Sequence, residues 1–259
     1  MNAFARNLSS VFCIIPAALL ATSVAARGPH RIAIRTEVSK NDIPPCNDVA
    51  TGRLVGSKRV VSPVLTSPDG RFRAYAENDV VAFSQSLQQE GPPIFECANT
   101  ARLFMAGPTS KMFRLVYLSV PAPYDLIKGV TLIDWSRDSR YLLFQVFDGN
   151  YASDAGGWGV GLLAARYGVF WPPVFPYQAL EDHLRRNCSA RIIALGFSQE
   201  DSVILKVSPY YDETGTMEND TCVKKQGLWS LDPSQRTMLE LPDNYKVQQY
   251  GRWAEVPGK

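Results

Sequence analysis

The chain has 259 residues, of which 46% are apolar and 20% charged, with a formal net charge of +2. That composition is globular, and it excludes a low-hydrophobicity disordered chain. It also makes no case for nucleic acid as a partner, which would call for a concentrated basic face; Arg185-Arg186 and Lys224-Lys225 are short pairs read as solvated surface.

The N-terminus carries Arg6, then an apolar run from Val11 to Ala21, then small residues to Ala26. This reads as a secretory signal cleaved after Ala26, with Pro16 and the small-residue end favouring cleavage over a retained anchor. Residues 27–259 are then expected to form a single exported domain, periplasmic or secreted, without membrane insertion once the signal is removed. Four cysteines remain after the signal: Cys46, Cys97, Cys188 and Cys222. An even number in an exported chain points to disulfides. Three pairings are open, and Cys46–Cys97 with Cys188–Cys222 is favoured because each pair brackets one copy of the repeat described next.

His30 to Thr36 alternates and reads as a strand, while Asn41 to Gly56 reads as loop. Then comes the stretch on which the chain is built: Ser67-Pro68-Asp69-Gly70-Arg71, leading into Phe72-Arg73-Ala74-Tyr75-Ala76. A second copy is Ser136-Arg137-Asp138-Ser139-Arg140, leading into Tyr141-Leu142-Leu143-Phe144, and a third is Ser198-Gln199-Glu200-Asp201-Ser202, leading into Val203-Ile204-Leu205. An apolar run precedes each copy, so each reads as strand, tight turn, strand. A repeat spaced by roughly 60–70 residues marks a recurring supersecondary unit. Further strands are expected at 102–106 and 113–119, at 159–174, and at 228–232 and 238–241. The tail from Asp243 could add a last strand. Each unit thus holds about four strands.

Ser67-Pro68-Asp69-Gly70-Arg71 before an apolar strand, together with Leu228-Trp229-Ser230-Leu231-Asp232, resembles the WD40-like propeller repeat of TolB-type proteins. The likeness weakens at the third copy, where Gln199-Glu200 replace Pro-Asp. It implies an all-β, propeller-like stack of three to four antiparallel four-stranded blades. The termini could complete a ring, the stack could stay open, or another chain could supply the rest.

Candidate chemistry is sparse. Two histidines, His30 and His183, leave little material for a catalytic triad or a His metal site. Gly156 to Gly161 lacks the Lys-Ser/Thr of a nucleotide loop and reads as hairpin glycine. Asp148, Asn150 and Asp154 lack the closing Glu of a calcium loop. No cofactor is expected. The aromatic candidates for a binding surface are Trp158, Trp171, Phe175 and Tyr177. Three functions follow as expectations: a non-enzymatic module binding a protein or envelope component, a structural fragment completed by self-association, or a glycan-acting enzyme with carboxylates near Trp171.

Overall fold

The computed structural model describes residues 58–85, 94–120, 127–149, 156–166, 169–170, 190–209, 226–234 and 237–254. All of them belong to the compact unit Ile34–Lys259. The signal segment, Cys46, Cys188, Cys222, Trp171, Phe175 and Tyr177 lie outside the described residues.

The described residues form strands and no helix: β1 (Lys58–Val61), β2 (Leu65–Thr66), β3 (Arg73–Gln85), β4 (Ile94–Ala106), β5 (Arg114–Ser119), β6 (Ile127–Trp135) and β7 (Tyr141–Gly149). There follow β8 (Gly156–Arg166), β9 (Val169–Phe170), β10 (Ala190–Phe197), β11 (Val203–Pro209), β12 (Gly227–Leu231), β13 (Met238–Leu241) and β14 (Arg252–Trp253). They make three antiparallel sheets. The first has the order β14-β2-β3-β4-β5 with β1 also on β3, the second β6-β7-β8-β9, and the third β10-β11-β12-β13. Apart from β14 and β1, each sheet is a meander of sequence neighbours.

The three serine turns open equivalent hairpins. Thr66 pairs with Arg73 and Trp135 with Leu142, the same offset from Ser67 and Ser136. Phe197 pairs with Val203, one residue sooner, because the third turn is one residue shorter. In the first two turns the serine hydroxyl donates to the aspartate two residues on, at 2.7 and 2.8 Å. The same oxygen accepts the N–H of Phe72 or Tyr141 at 2.9 Å. In the third, Ser198 Oγ accepts the N–H groups of Glu200 and Ser202 at 3.1 and 3.2 Å. The fourth residue of each turn is left-handed, with φ of 76° at Gly70 and 62° at both Ser139 and Asp201. Glycine takes that backbone freely; serine and aspartate take it at a modest cost. All three serines are buried, so their hydroxyl oxygens are shielded from water. Ser136→Ala is therefore expected to cost about 1–2 kcal/mol, by orphaning the Tyr141 N–H, in urea unfolding.

The sequence pattern says which sheet lies in the middle. β3 and the residues leading into it alternate: Phe72, Ala74, Ala76, Asn78 and Val80 are buried, while Arg73, Tyr75, Glu77 and Asp79 point the other way. One face of the first sheet therefore carries core. β7 has no such alternation, because Leu142 through Val146 are all buried. A strand covered on both faces reads as a continuous apolar run. Leu142, Phe144 and Val146 pack with Leu65, Phe72 and Leu103 of the first sheet's core. Leu143 packs with Val160, Phe197, Val203 and Leu205, joining the third sheet.

Two buried amides cross these interfaces. Asn78 brackets Val130, donating to its carbonyl at 3.0 Å and accepting from its N–H at 2.9 Å. Gln145 does the same to β10, donating to the Ile192 carbonyl at 2.7 Å and accepting from the Ala194 N–H at 3.3 Å. Each fixes the register of one sheet on the next, because a slip would bury unpaired amides.

Two stretches differ from expectation. Gly156 to Gly161 belongs to β8 itself rather than to a hairpin turn. A Cβ on Gly161 would stand 2.3 Å from the Phe144 ring, so this glycine makes room for an aromatic on the neighbouring strand. The stretch Ser84 to Pro93, with Gln88-Gln89-Glu90 and Pro92-Pro93, reads from sequence as loop, yet β3 runs on through Ser84 and Gln85, because their pairing with Phe95 and Ile94 continues the ladder.

Candidate functional site

The three turns are joined to one another. The Asp69 N–H donates to Ser139 Oγ at 3.2 Å, and the Arg137 N–H donates to Asp201 Oδ1 at 2.6 Å. The left-handed residue of one turn thus supplies the acceptor that holds the turn before it. Within the first two turns an arginine closes on the aspartate: Arg71 on Asp69 at 2.6 Å, and Arg140 on Asp138. Burial would raise Asp69 and Asp138. The backbone N–H of Arg71 or Arg140, with the serine hydroxyl and the guanidinium, outweighs it and holds both below the ordinary carboxylate range.

Across the same end of the sheets runs residues 245–254, which we call the strap. Gln248 bridges Phe197 of the third sheet. Tyr250 and Gly251 donate their N–H groups to the Asp134 carboxylate of the second, at 3.0 and 2.7 Å. Arg252 and Trp253 pair with Thr66 and Leu65 of the first, and the Ala254 N–H reaches the Val64 carbonyl at 2.8 Å. One short segment therefore touches the first strand of every serine hairpin.

Two irregularities in the sheets receive it. β6 shifts register between Leu132 and Asp134, and β10 between Ala194 and Gly196, at corresponding places in the repeat. The first bulge turns Asp134 toward the strap. The second holds Gly196 at φ 147°, where a Cβ would stand 2.8 Å from Val247. Gly251 is confined in turn, since a Cβ there would meet Leu65 at 2.7 Å and Asp134 at 3.0 Å.

Asp134 is 2% exposed and faces no cation in its hydrogen-bond set; it accepts three backbone N–H groups, from Trp135, Tyr250 and Gly251. Burial dominates, and its pKa is pushed up to about 6 despite those bonds. A raised folded-state value means that the folded chain holds the proton more tightly than the unfolded one. This group's contribution to stability is complete below about pH 4 and is lost as pH rises through about 6, a change of about 3 kcal/mol. Asp134→Asn is expected to flatten that segment of a stability–pH profile measured by urea unfolding.

Between the third turn and the strap lies an open cleft of about 390 Å³, lined by Ser198, Gln199, Glu200, Tyr245, Lys246 and Tyr250, among others. It offers aromatic rings beside an acid, a base and an amide, which suits a polar ligand or a peptide better than a lipid chain. Among the described residues, no group of three or more His, Cys, Asp or Glu side chains is placed to hold a metal ion.

The residues singled out from sequence lie on strands or outside the described residues. Trp158 stands in β8 opposite Phe147, and Cys97 in β4 opposite Ala82; their side chains are not among those described. Asp148 lies on β7 and pairs with Lys128 at 2.9 Å rather than with a calcium loop; Asn150 and Asp154 fall outside the described residues. The last strand expected of the tail is β14 on β2; what sequence reasoning missed is Asp134 and the crossing of all three sheets by residues 245–254. The available signal was one carboxylate inside a mostly apolar strand, Val130 to Trp135, since an acid in such a run needs donors to meet it. Comparison with family models, with curated proteins and with solved structures found no match to this chain.

Proposed function

We propose that the chain is an exported, non-enzymatic binding module. In this reading the three sheets are blades of an open, propeller-like stack, and the ligand, a protein or envelope component, is taken on the face made by the turns and the strap. The observation that carries the reading is the linkage of three equivalent serine turns into one continuous face, with a cleft at its third member. Loops aligned at one end of stacked sheets are where such scaffolds keep their binding groups.

Completion by a second copy across the outer face of the first sheet is the weaker alternative. That face carries Glu77 and Asp79 with Arg59 and Arg102 paired onto them. Burying these charges beneath another sheet would cost desolvation that an apolar blade face avoids.

The test is capture from envelope extract on immobilised chain. Charge reversal at the cleft, Glu200→Lys with Lys246→Glu, is expected to abolish capture, whereas Lys111→Glu, far along the chain, should leave it intact. Equal capture by all three chains, or by none, would remove the reading.

A further inference from the structure

We propose that the row of strand edges at β2, the Asp134 bulge and the Gly196 bulge is a site for an extended peptide, filled in the free chain by its own residues 245–254 and open to a partner segment of the Tyr-Gly-x-Trp kind when the strap lifts. It does not depend on the cleft being the binding surface.

The strap is held the way a bound peptide is held. Its bonds to the sheets are mostly main chain: the pairing of Arg252 and Trp253 with β2, the Ala254 N–H on Val64, and the Tyr250 and Gly251 N–H groups on Asp134. Any extended segment presents those groups, which is how strand addition at a sheet edge works. Selectivity comes from three positions. Gly251 crosses where a Cβ would crowd the Leu65 side chain at 2.7 Å and Asp134 at 3.0 Å, Tyr250 packs against the core between the second and third sheets, and Trp253 against that between the first and second. An aromatic, a glycine and a second aromatic two positions beyond the glycine are therefore what the site reads, with Arg252 between the last two adding an exposed bond to the Pro68 carbonyl at 3.3 Å.

The strap also lies at the surface. Every residue from 245 to 254 is at least partly exposed. Elements with few buried contacts open at low free energy while the core stays folded. A cis segment is nonetheless favoured over a free peptide by an effective concentration of order millimolar, so a partner must bind better or the strap must be weakened.

The experiment weakens it in the full chain. Gly251→Val places a Cβ against Leu65 and Asp134 and should lift the strap. A fluorescent synthetic peptide of residues 243–254 is expected to bind this chain at least ten-fold more tightly than wild type, whose site is already filled. The same peptide carrying valine at the glycine should bind neither. Equal affinity for both chains, or no binding to a Gly251→Val chain that retains its β circular dichroism, overturns the proposal. A stable heterodimer on mixing wild-type and Gly251→Val chains also overturns it, by making a second copy's strap the occupant. If Gly251→Val does not fold, wild type is folded intact and then cut at a protease site placed at Asp243-Asn244. Replacement of the cut tail by labelled peptide supports the site; a tail that never leaves, or leaves without replacement, counts against it.

Discussion

Asp134→Ala is expected to destabilise the chain by about 2 kcal/mol at pH 7, with the loss growing by about 2 kcal/mol more at pH 4.5. Two effects oppose each other at neutral pH. Alanine removes a buried charge, which is favourable, but it strands three N–H donors, which costs more. Acid separates the two. Wild type gains stability as the carboxyl takes up its proton near pH 6, and alanine cannot. The aspartates of the first two turns, held below the ordinary range, lose stabilisation in acid in both proteins and cancel from the difference. Urea unfolding at the two pH values measures the gap. Hydrogen exchange adds a local reading, because the Tyr250 and Gly251 amides should lose protection in the variant before the amides of β7 do. A gap that shrinks in acid would contradict the assignment of Asp134 as a buried carboxylate with a raised pKa.

The second large effect is expected at Gly161. Valine there would drive a Cβ into the Phe144 ring, which is itself fully buried between the first and second sheets. Overpacking of a tight core costs about 3 kcal/mol when neither strand can retreat, and both of these are covered on two faces. Shrinking the ring should restore part of the loss: Phe144→Leu with Gly161→Val is expected to be more stable than Gly161→Val alone. Thermal unfolding of the four members of that double-mutant cycle gives the coupling, and additive effects would mean that the clash is relieved elsewhere.

The parts of the fold legible in the sequence were those that repeat. Serine, a second residue, an acid (aspartate twice, then Glu200) and a left-handed corner recur in order, and the hairpins they open lie where the repeat puts them. The run Leu142 to Val146, apolar but for Gln145, contrasts with the alternation of β3, a difference that matches one sheet being enclosed and the other not. The strap was legible only as a tail able to add a last strand, which is β14 on β2. Its crossing of the other two sheets was not, since its hold there is by main-chain groups that every sequence has. The bulges that receive it were equally hidden, because a one-residue register shift leaves no compositional mark. Glycines 196 and 251 were visible as letters but not as contacts, because each is constrained by a segment remote in the chain.

The Gly251 amide meets a carboxylate 117 positions earlier, and Trp253 pairs back to Leu65. During synthesis the edge of β2 and the oxygens of Asp134 must therefore wait, wetted or shielded by something else, until almost all of the described chain has been made. Closure of so long a loop is slow and comes last. A nascent chain stalled before residue 250 would present a row of bare strand edges to its neighbours, so the interval between emergence of β11 and arrival of the strap is when aggregation is most dangerous.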